Sequence, residues 1–105
     1  MRVISKARLR EFWGRYPDAR DPLLAWWKVA GAADWKNIQE VRQTYPHADA
    51  VTLDCDLIVT VFNVGGNKYR LVSRIIYEYR RIYVKRVLTH REYDRGNWKE
   101  QLCRE

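Results

Sequence analysis

"LIVTVFNVGGNKYRLVSRIIYE", Leu57 to Glu78, is the stretch on which the reading of this chain turns. A run rich in β-branched residues leads into Gly65-Gly66, and a second β-patterned run follows it. Paired glycines supply the positive φ angles of a two-residue hairpin turn, so the stretch predicts two antiparallel strands. A hairpin needs only a turn and an apolar face, yet Asn63, Asn67, Lys68 and Arg70 gather at this one. Downstream, "RIYVKRVLT" (Arg81 to Thr89) predicts a third strand after a turn near Tyr79-Arg80.

Upstream the period changes to helical. Residues 1–4 predict a short edge strand, and Ser5 suits an N-cap before Leu9, Phe12, Trp13 and Tyr16 at helical spacing. Asp21 is expected to cap a second helix, with Pro22 at its first position and Leu23, Trp26, Trp27 and Ala30 as its apolar stripe. Asp34 is expected to cap a third, carrying Trp35, Ile38, Val41 and Tyr45 and stopped by Pro46. These aromatic stripes read as core. The connector "HADAVTLDCD" has room for a short strand, and "HREYDRGNWKEQL" predicts a loop and one short terminal helix. The whole is expected to be a single α+β domain over residues 1–105. N-terminal helices pack on one face of a small antiparallel meander sheet, with a short C-terminal helix after it.

Placing side chains on that sheet gives a two-faced expectation. If Glu78 pairs with Arg81, Arg70 falls opposite Thr89 and Arg74 opposite Lys85; if Val64 pairs with Asn67, Val61 falls opposite Arg70. One face then collects Arg70, Val72, Arg74, Tyr83, Lys85 and Val87. The other collects Phe62, Leu71, Ile75, Ile82, Val84 and Leu88, with Ser73 and Arg86 as polar intruders. The second face is the one for the helices, and the first is left open and cationic. A slip of one residue would exchange the two.

Charge supports an anionic partner. The net charge is +7, and residues 57–93 hold eight Lys/Arg against only Glu78 and Glu92, whereas residues 1–56 are nearly balanced. A field so concentrated recruits polyanions, nucleic acid foremost. Arg70, Arg74 and Lys85 on one face suit a phosphate backbone, with Asn63, Asn67, Lys68 and Tyr83 as further contacts. "THREYD" (Thr89 to Asp94) leaves the third strand at the edge of that face. His90 can act as general acid or base, Tyr93 follows at one helical turn, and Asp94 is placed either to orient His90 or to cap the last helix.

His, Tyr, Arg and Lys without a carboxylate cluster suit metal-free cleavage of RNA, in which the 2′-hydroxyl attacks the adjacent phosphate. No magnesium or zinc ligand pattern is visible, and no cofactor or metal is expected. The N-terminal stretch is too charged for an export signal, and no apolar run is long enough for a membrane span. A cytoplasmic location is therefore expected, with Cys55 and Cys103 as plain thiols.

"VFNVGGNKYRLV" (Val61 to Val72) followed by "VKRVLTHREYD" (Val84 to Asp94) resembles the HigB branch of bacterial type II toxins, within the RelE/ParE superfamily. "YPHADAV" (Tyr45 to Val51) and Trp35 fit the same pattern. The resemblance spans roughly residues 1–98. It implies a small α+β toxin that cuts mRNA on translating ribosomes. The implied partner is a HigA-like helix-turn-helix antitoxin, through which alone operator DNA is engaged. Carried over to this chain, it marks Asn67, Lys68 and Arg70 after the Gly-Gly turn, Lys85 on the next strand, and His90 and Tyr93. Arg70 and Lys85 are expected to hold phosphate charge, and His90 and Tyr93 to share acid–base work in an order left open. Two alternatives stand beside this reading: an RNA- or ribosome-binding inhibitor of translation that does not cut, and a toxin directed at DNA gyrase.

Overall fold

A computed structural model describes all residues 1–105. Strand β1 (Arg2–Ile4) leads into helices α1 (Lys6–Arg15), α2 (Arg20–Ala32) and α3 (Ile38–Thr44). Strands β2 (Asp49–Thr52), β3 (Ile58–Val64), β4 (Tyr69–Ile76) and β5 (Arg81–Thr89) follow. Two short helices close the chain, α4 (His90–Arg95) and α5 (Asn97–Cys103). The sheet has five strands in the order β1-β5-β4-β3-β2. The expected meander is present from β2 to β5, and β1 joins β5 in parallel at one edge. No helix is long and apolar enough to cross a membrane.

Helix starts show where local signals were overruled. Ser5 caps α1 as expected, accepting from the Ala7 amide. Asp21 does not cap α2; a 3₁₀ turn at Pro17–Ala19 runs straight into the helix, so Asp21 sits in its first turn, where a carboxylate opposes the helix dipole. Nor does Asp34 cap α3. Trp35 is buried against Phe62 and Tyr45, which pins residues 33–37 as an irregular segment whose polar side chains stay at the surface. The helix therefore begins only after Asn37, whose Oδ1 accepts from the Glu40 amide, and Asp34 pairs with Arg80 instead.

The sheet registers also differ from expectation. Val64 pairs with Tyr69, so Gly65–Lys68 forms a four-residue loop in place of a two-residue turn. Gly65 and Gly66 both have positive φ, 64° and 68°, which is what the glycines are needed for. Between β4 and β5, Arg70 lies opposite Leu88 and Arg74 opposite Tyr83. The register shifts at Val72/Ser73, which face Arg86 and Val84, so Lys85 is the extra residue of a β-bulge. The bulge moves Val87 to the side of the N-terminal helices and Leu88 to the opposite side, the reverse of the expected arrangement. The buried Ser73 hydroxyl donates to the Thr60 carbonyl, and Arg86 leaves toward the edge to meet Glu105.

Two apolar clusters sandwich the sheet. The larger joins Leu9, Phe12, Leu23, Trp26, Trp35 and Val41 of the helical layer to Phe62, Leu71, Ile82 and Val84, confirming the aromatic stripes as core. The smaller gathers Val59, Val61, Val72 and Leu88 from the other face with Trp98 and Leu102 of α5. The face expected to be open and cationic is therefore closed across its middle by the C-terminal helix. A further correction concerns Cys55 and Cys103, expected as thiols, which form a disulfide between the β2–β3 loop and the end of α5. They lie 48 residues apart, and only the packing of α5 brings them together.

Candidate active site

The closure by α5 divides the predicted site residues into two groups. Arg70 and Arg74 lie on one strand, separated by roughly 13 Å at the usual rise per residue, with fully buried Val72 between them. Asn63, Asn67, Lys68, His90 and Tyr93 belong to the Arg70 end. Tyr83 and Lys85 belong to the Arg74 end: Tyr83 pairs across to Arg74, and the Lys85 ammonium sits 5.9 Å from the Tyr83 ring centre.

At the Arg70 end, β5 stops and turns into α4. The turn is fixed by a capping box. Thr89 Oγ1 accepts from the Glu92 amide, and Glu92 Oε1 accepts from the Thr89 amide. This explains Thr89 and Glu92 in "THREYD" as scaffold, a signal carried by their T-x-x-E spacing. The His90 amide donates to the Lys68 carbonyl at 3.0 Å, tying the start of α4 to the glycine loop. His90 Nδ1 lies 2.7 Å from Asp94 Oδ2, one turn along α4. Of the two roles open to Asp94, orienting His90 is the one it takes; Thr89 caps α4, and Gly96 precedes α5. With Nδ1 engaged, Nε2 is the ring nitrogen left to act on a ligand.

Arg70 projects over the same corner. Its Nη1 donates to the carbonyls of Asn67 and Tyr69, at 3.1 and 3.2 Å, and its guanidinium carbon lies 5.8 Å from the centre of the Tyr93 ring. No carboxylate pairs with Arg70, so its charge is available to an anion. Tyr93 stacks on Trp98 at 5.3 Å, and burial raises its hydroxyl pKa, with Asp49 and Asp94 adding to the rise and Arg70 opposing it. The Tyr93 hydroxyl is therefore favoured in its protonated form.

Lys68 has an ion-pair partner in the helical layer. Its ammonium pairs with Asp18 Oδ2 at 2.8 Å, and the Tyr69 hydroxyl donates to the other Asp18 oxygen at 2.6 Å. Those two hydrogen bonds hold the Asp18 carboxyl below the usual range, and the bond to Asp18 pushes Tyr69 up to about 12. Asp18 latches the glycine loop to the helical layer; nothing near it in sequence announces this, since its partners lie 50 and 51 residues away. Asn63 Nδ2 faces Asn67 Oδ1 at 3.5 Å, at the long limit for a hydrogen bond.

A roomier groove of about 640 Å³ lies elsewhere, between the β2–β3 loop and α5, with Asp54, Lys99 and Glu100 among its walls. Its mixed charge does not suit a polyanion. No three of the His, Cys, Asp and Glu side chains converge anywhere in the fold.

Residues 19–96 match the model of a protein family described as HigB toxin, the RelE-like toxic component of a toxin–antitoxin system. The chain is also 30% identical over 95 residues to the mRNA interferase toxin HigB of Escherichia coli K12, covering 90% of this chain and 88% of that protein. The mRNA interferase HigB of Shigella flexneri is similar to the same extent. A further relative, from Escherichia coli O6:H1, is 30% identical with 90% of each chain covered.

Proposed function

The chain belongs to the HigB family of RelE-like toxins, and from that premise we propose that it is the toxin of a toxin–antitoxin pair and an endoribonuclease that cuts mRNA at the Arg70 end of the sheet. The single observation that carries the site is that the His90–Asp94 pair and the Arg70–Tyr93 contact share one corner, where β5 meets α4 and the His90 amide binds the glycine loop.

These residues support a division of labour. His90 Nε2 takes the proton from the ribose 2′-hydroxyl as that oxygen attacks the adjacent phosphorus. The Arg70 guanidinium holds the charge that grows on the phosphorane oxygens. Tyr93, held protonated, donates to the departing 5′-oxygen. The upstream product then carries a 2′,3′-cyclic phosphate and the downstream product a 5′-hydroxyl. Lys85 lies outside this group, so charge stabilisation at the scissile phosphate falls to Arg70. Asn63 and Asn67 border the loop, where a neighbouring nucleotide would pass, while Lys68 serves first as the anchor of the loop through Asp18.

The message is cut on the ribosome, which aligns the ribose for in-line attack that three side chains alone do not impose. The antitoxin is a HigA-like helix-turn-helix protein, and operator DNA is reached only through it. Mapping of RNA 5′ ends shortly after induction tests this reading. Wild type is expected to produce new 5′ ends within messages. Arg70→Ala and His90→Ala are expected to abolish them while ribosome binding persists. Arrested translation with intact transcripts would overturn the enzymatic reading in favour of a non-cutting inhibitor.

A further inference from the structure

The other end of the sheet face has features that cleavage at Arg70 does not use. Arg74 and Lys85 line a cavity of about 250 Å³ together with Leu102, Cys103 and Glu105 of the C-terminal segment. Arg86, beside the Lys85 bulge, pairs with the Glu105 carboxylate at 3.0 Å. Two cations thus line a concave surface whose only acidic wall residue is Glu105, and a third, Arg86, reaches that same carboxylate from beside it. A carboxylate on a guanidinium presents the oxygen pair that a phosphodiester would present.

What keeps that end in place is limited. Helix α5 has seven residues, too few to be stable alone in water, where about 12–15 are needed. Trp98 and Leu102 are buried in the smaller cluster, and beyond Leu102 the side-chain links to the sheet and the β2–β3 loop are the Arg86 ion pair and the Cys55–Cys103 disulfide, the Arg104–Glu100 pair being internal to the C-terminal segment. Cys55 is exposed, so the bond is open to a reductant. While it is intact, the tail is tethered over the cations at a high effective concentration and competes with any external phosphate.

We propose that Arg74, Lys85 and Arg86 form a second RNA-phosphate site, separate from the cleavage corner, which the C-terminal segment occupies as long as Cys55 and Cys103 are bonded. The inference rests on the RNA-cutting reading and adds its regulation. A dithiol reductant supplies two electrons and two protons. The Cys55 Sγ–Cys103 Sγ bond breaks, both sulfurs become thiols, and the reductant closes its own disulfide. The last turn of α5 then frays, Glu105 leaves Arg86, and the strand of RNA entering at Arg70 continues onto the three cations.

The experiment compares oxidised and reduced protein, both carrying His90→Ala so that RNA stays intact, for binding of a single-stranded RNA oligonucleotide across a salt series. The reduced form is expected to bind roughly tenfold more tightly, with a salt slope steeper by about 0.7 for each phosphate newly gripped. Cys55→Ser with Cys103→Ser should bind like the reduced form and ignore reductant. Glu105→Gln in the oxidised protein should recover part of the difference with the disulfide intact. Amide hydrogen exchange in α5 should quicken on reduction. Measurable binding that is equal in both forms overturns this inference alone. Binding absent from both forms overturns it too, while the cleavage reading, which takes its RNA on the ribosome, stands or falls by the 5′-end mapping.

Discussion

The two ends of the β4–β5 face are built from the same kinds of residue and finish in opposite states. At one end Arg70 meets no carboxylate and stands open beside His90 and Tyr93. At the other, Arg74, Lys85 and Arg86 lie against α5 and the Glu105 carboxylate. Between them Val72 and Leu88 are buried with Trp98 and Leu102. Cationic residues alone do not make an RNA site. What separates the ends is the covering helix, and its placement follows from two apolar side chains and a disulfide.

The boundary between the ends is the part whose loss should cost most. Trp98 is almost fully buried, stacks on Tyr93 and donates from Nε1 to the Tyr93 carbonyl. Trp98→Ala is expected to destabilise the protein by about 3–5 kcal/mol in urea denaturation. A loss below 1 kcal/mol would mean that α5 is not a true wall.

Next in size is the contrast between the two arginines. Arg70→Ala is expected to slow cleavage by about 10²–10³-fold, as removal of a preorganised transition-state donor does. Arg74→Ala should change RNA affinity by a few-fold and leave the rate at saturating substrate unchanged. Equal losses in single-turnover assays would erase the distinction between a cutting end and a gripping end. Within the cutting end, His90→Ala should cost about 10²-fold and Asp94→Asn less, because Asp94 acts only through the ring it orients.

The smallest expected effect concerns the loop latch. Asp18→Ala should lower stability slightly near neutral pH, because the Tyr69 hydroxyl and the Lys68 ammonium lose their shared acceptor. Because the folded pKa of Tyr69 is raised to about 12, its share of this stability is complete below the ordinary tyrosine value of 10.0 and disappears as pH rises through the folded one. The Asp18 carboxyl is shifted down, so its share is complete above 3.8 and disappears as pH falls through its lowered folded value. Urea midpoints of wild type and Asp18→Ala should therefore differ at pH 7 and converge in strong base. A gap that persists undiminished there would sever the link between Asp18 and Tyr69.

Much of this architecture is legible in the chain. The helical stripes around Phe12, Trp26 and Val41, the glycine-hinged strands and the "THREYD" corner all follow from local pattern, because period and turn chemistry are local properties. The register was not legible. One extra residue at Lys85 exchanges Val87 and Leu88 between faces, and no residue type announces a bulge. Nor was the cover legible. Trp98 and Leu102 look like an ordinary short amphipathic helix until they meet Val72, and Cys55 meets Cys103 only as a consequence. At the site, Arg70, His90 and Tyr93 come together as the sequence suggested. Lys85 lies near Arg74, as the expected pairing had it, and so away from Arg70, and Asp18 was invisible because its partners lie half the chain away.

The account depends on the ribose of the bound strand cutting its own phosphate at the Arg70 corner. End-group analysis of RNA fragments released on ribosomes tests that directly. Upstream fragments ending in a 2′,3′-cyclic phosphate or its 3′-phosphate hydrolysis product, with 5′-hydroxyls on the downstream fragments, are the expected result. Upstream fragments ending in a 3′-hydroxyl would show a different nucleophile and contradict it.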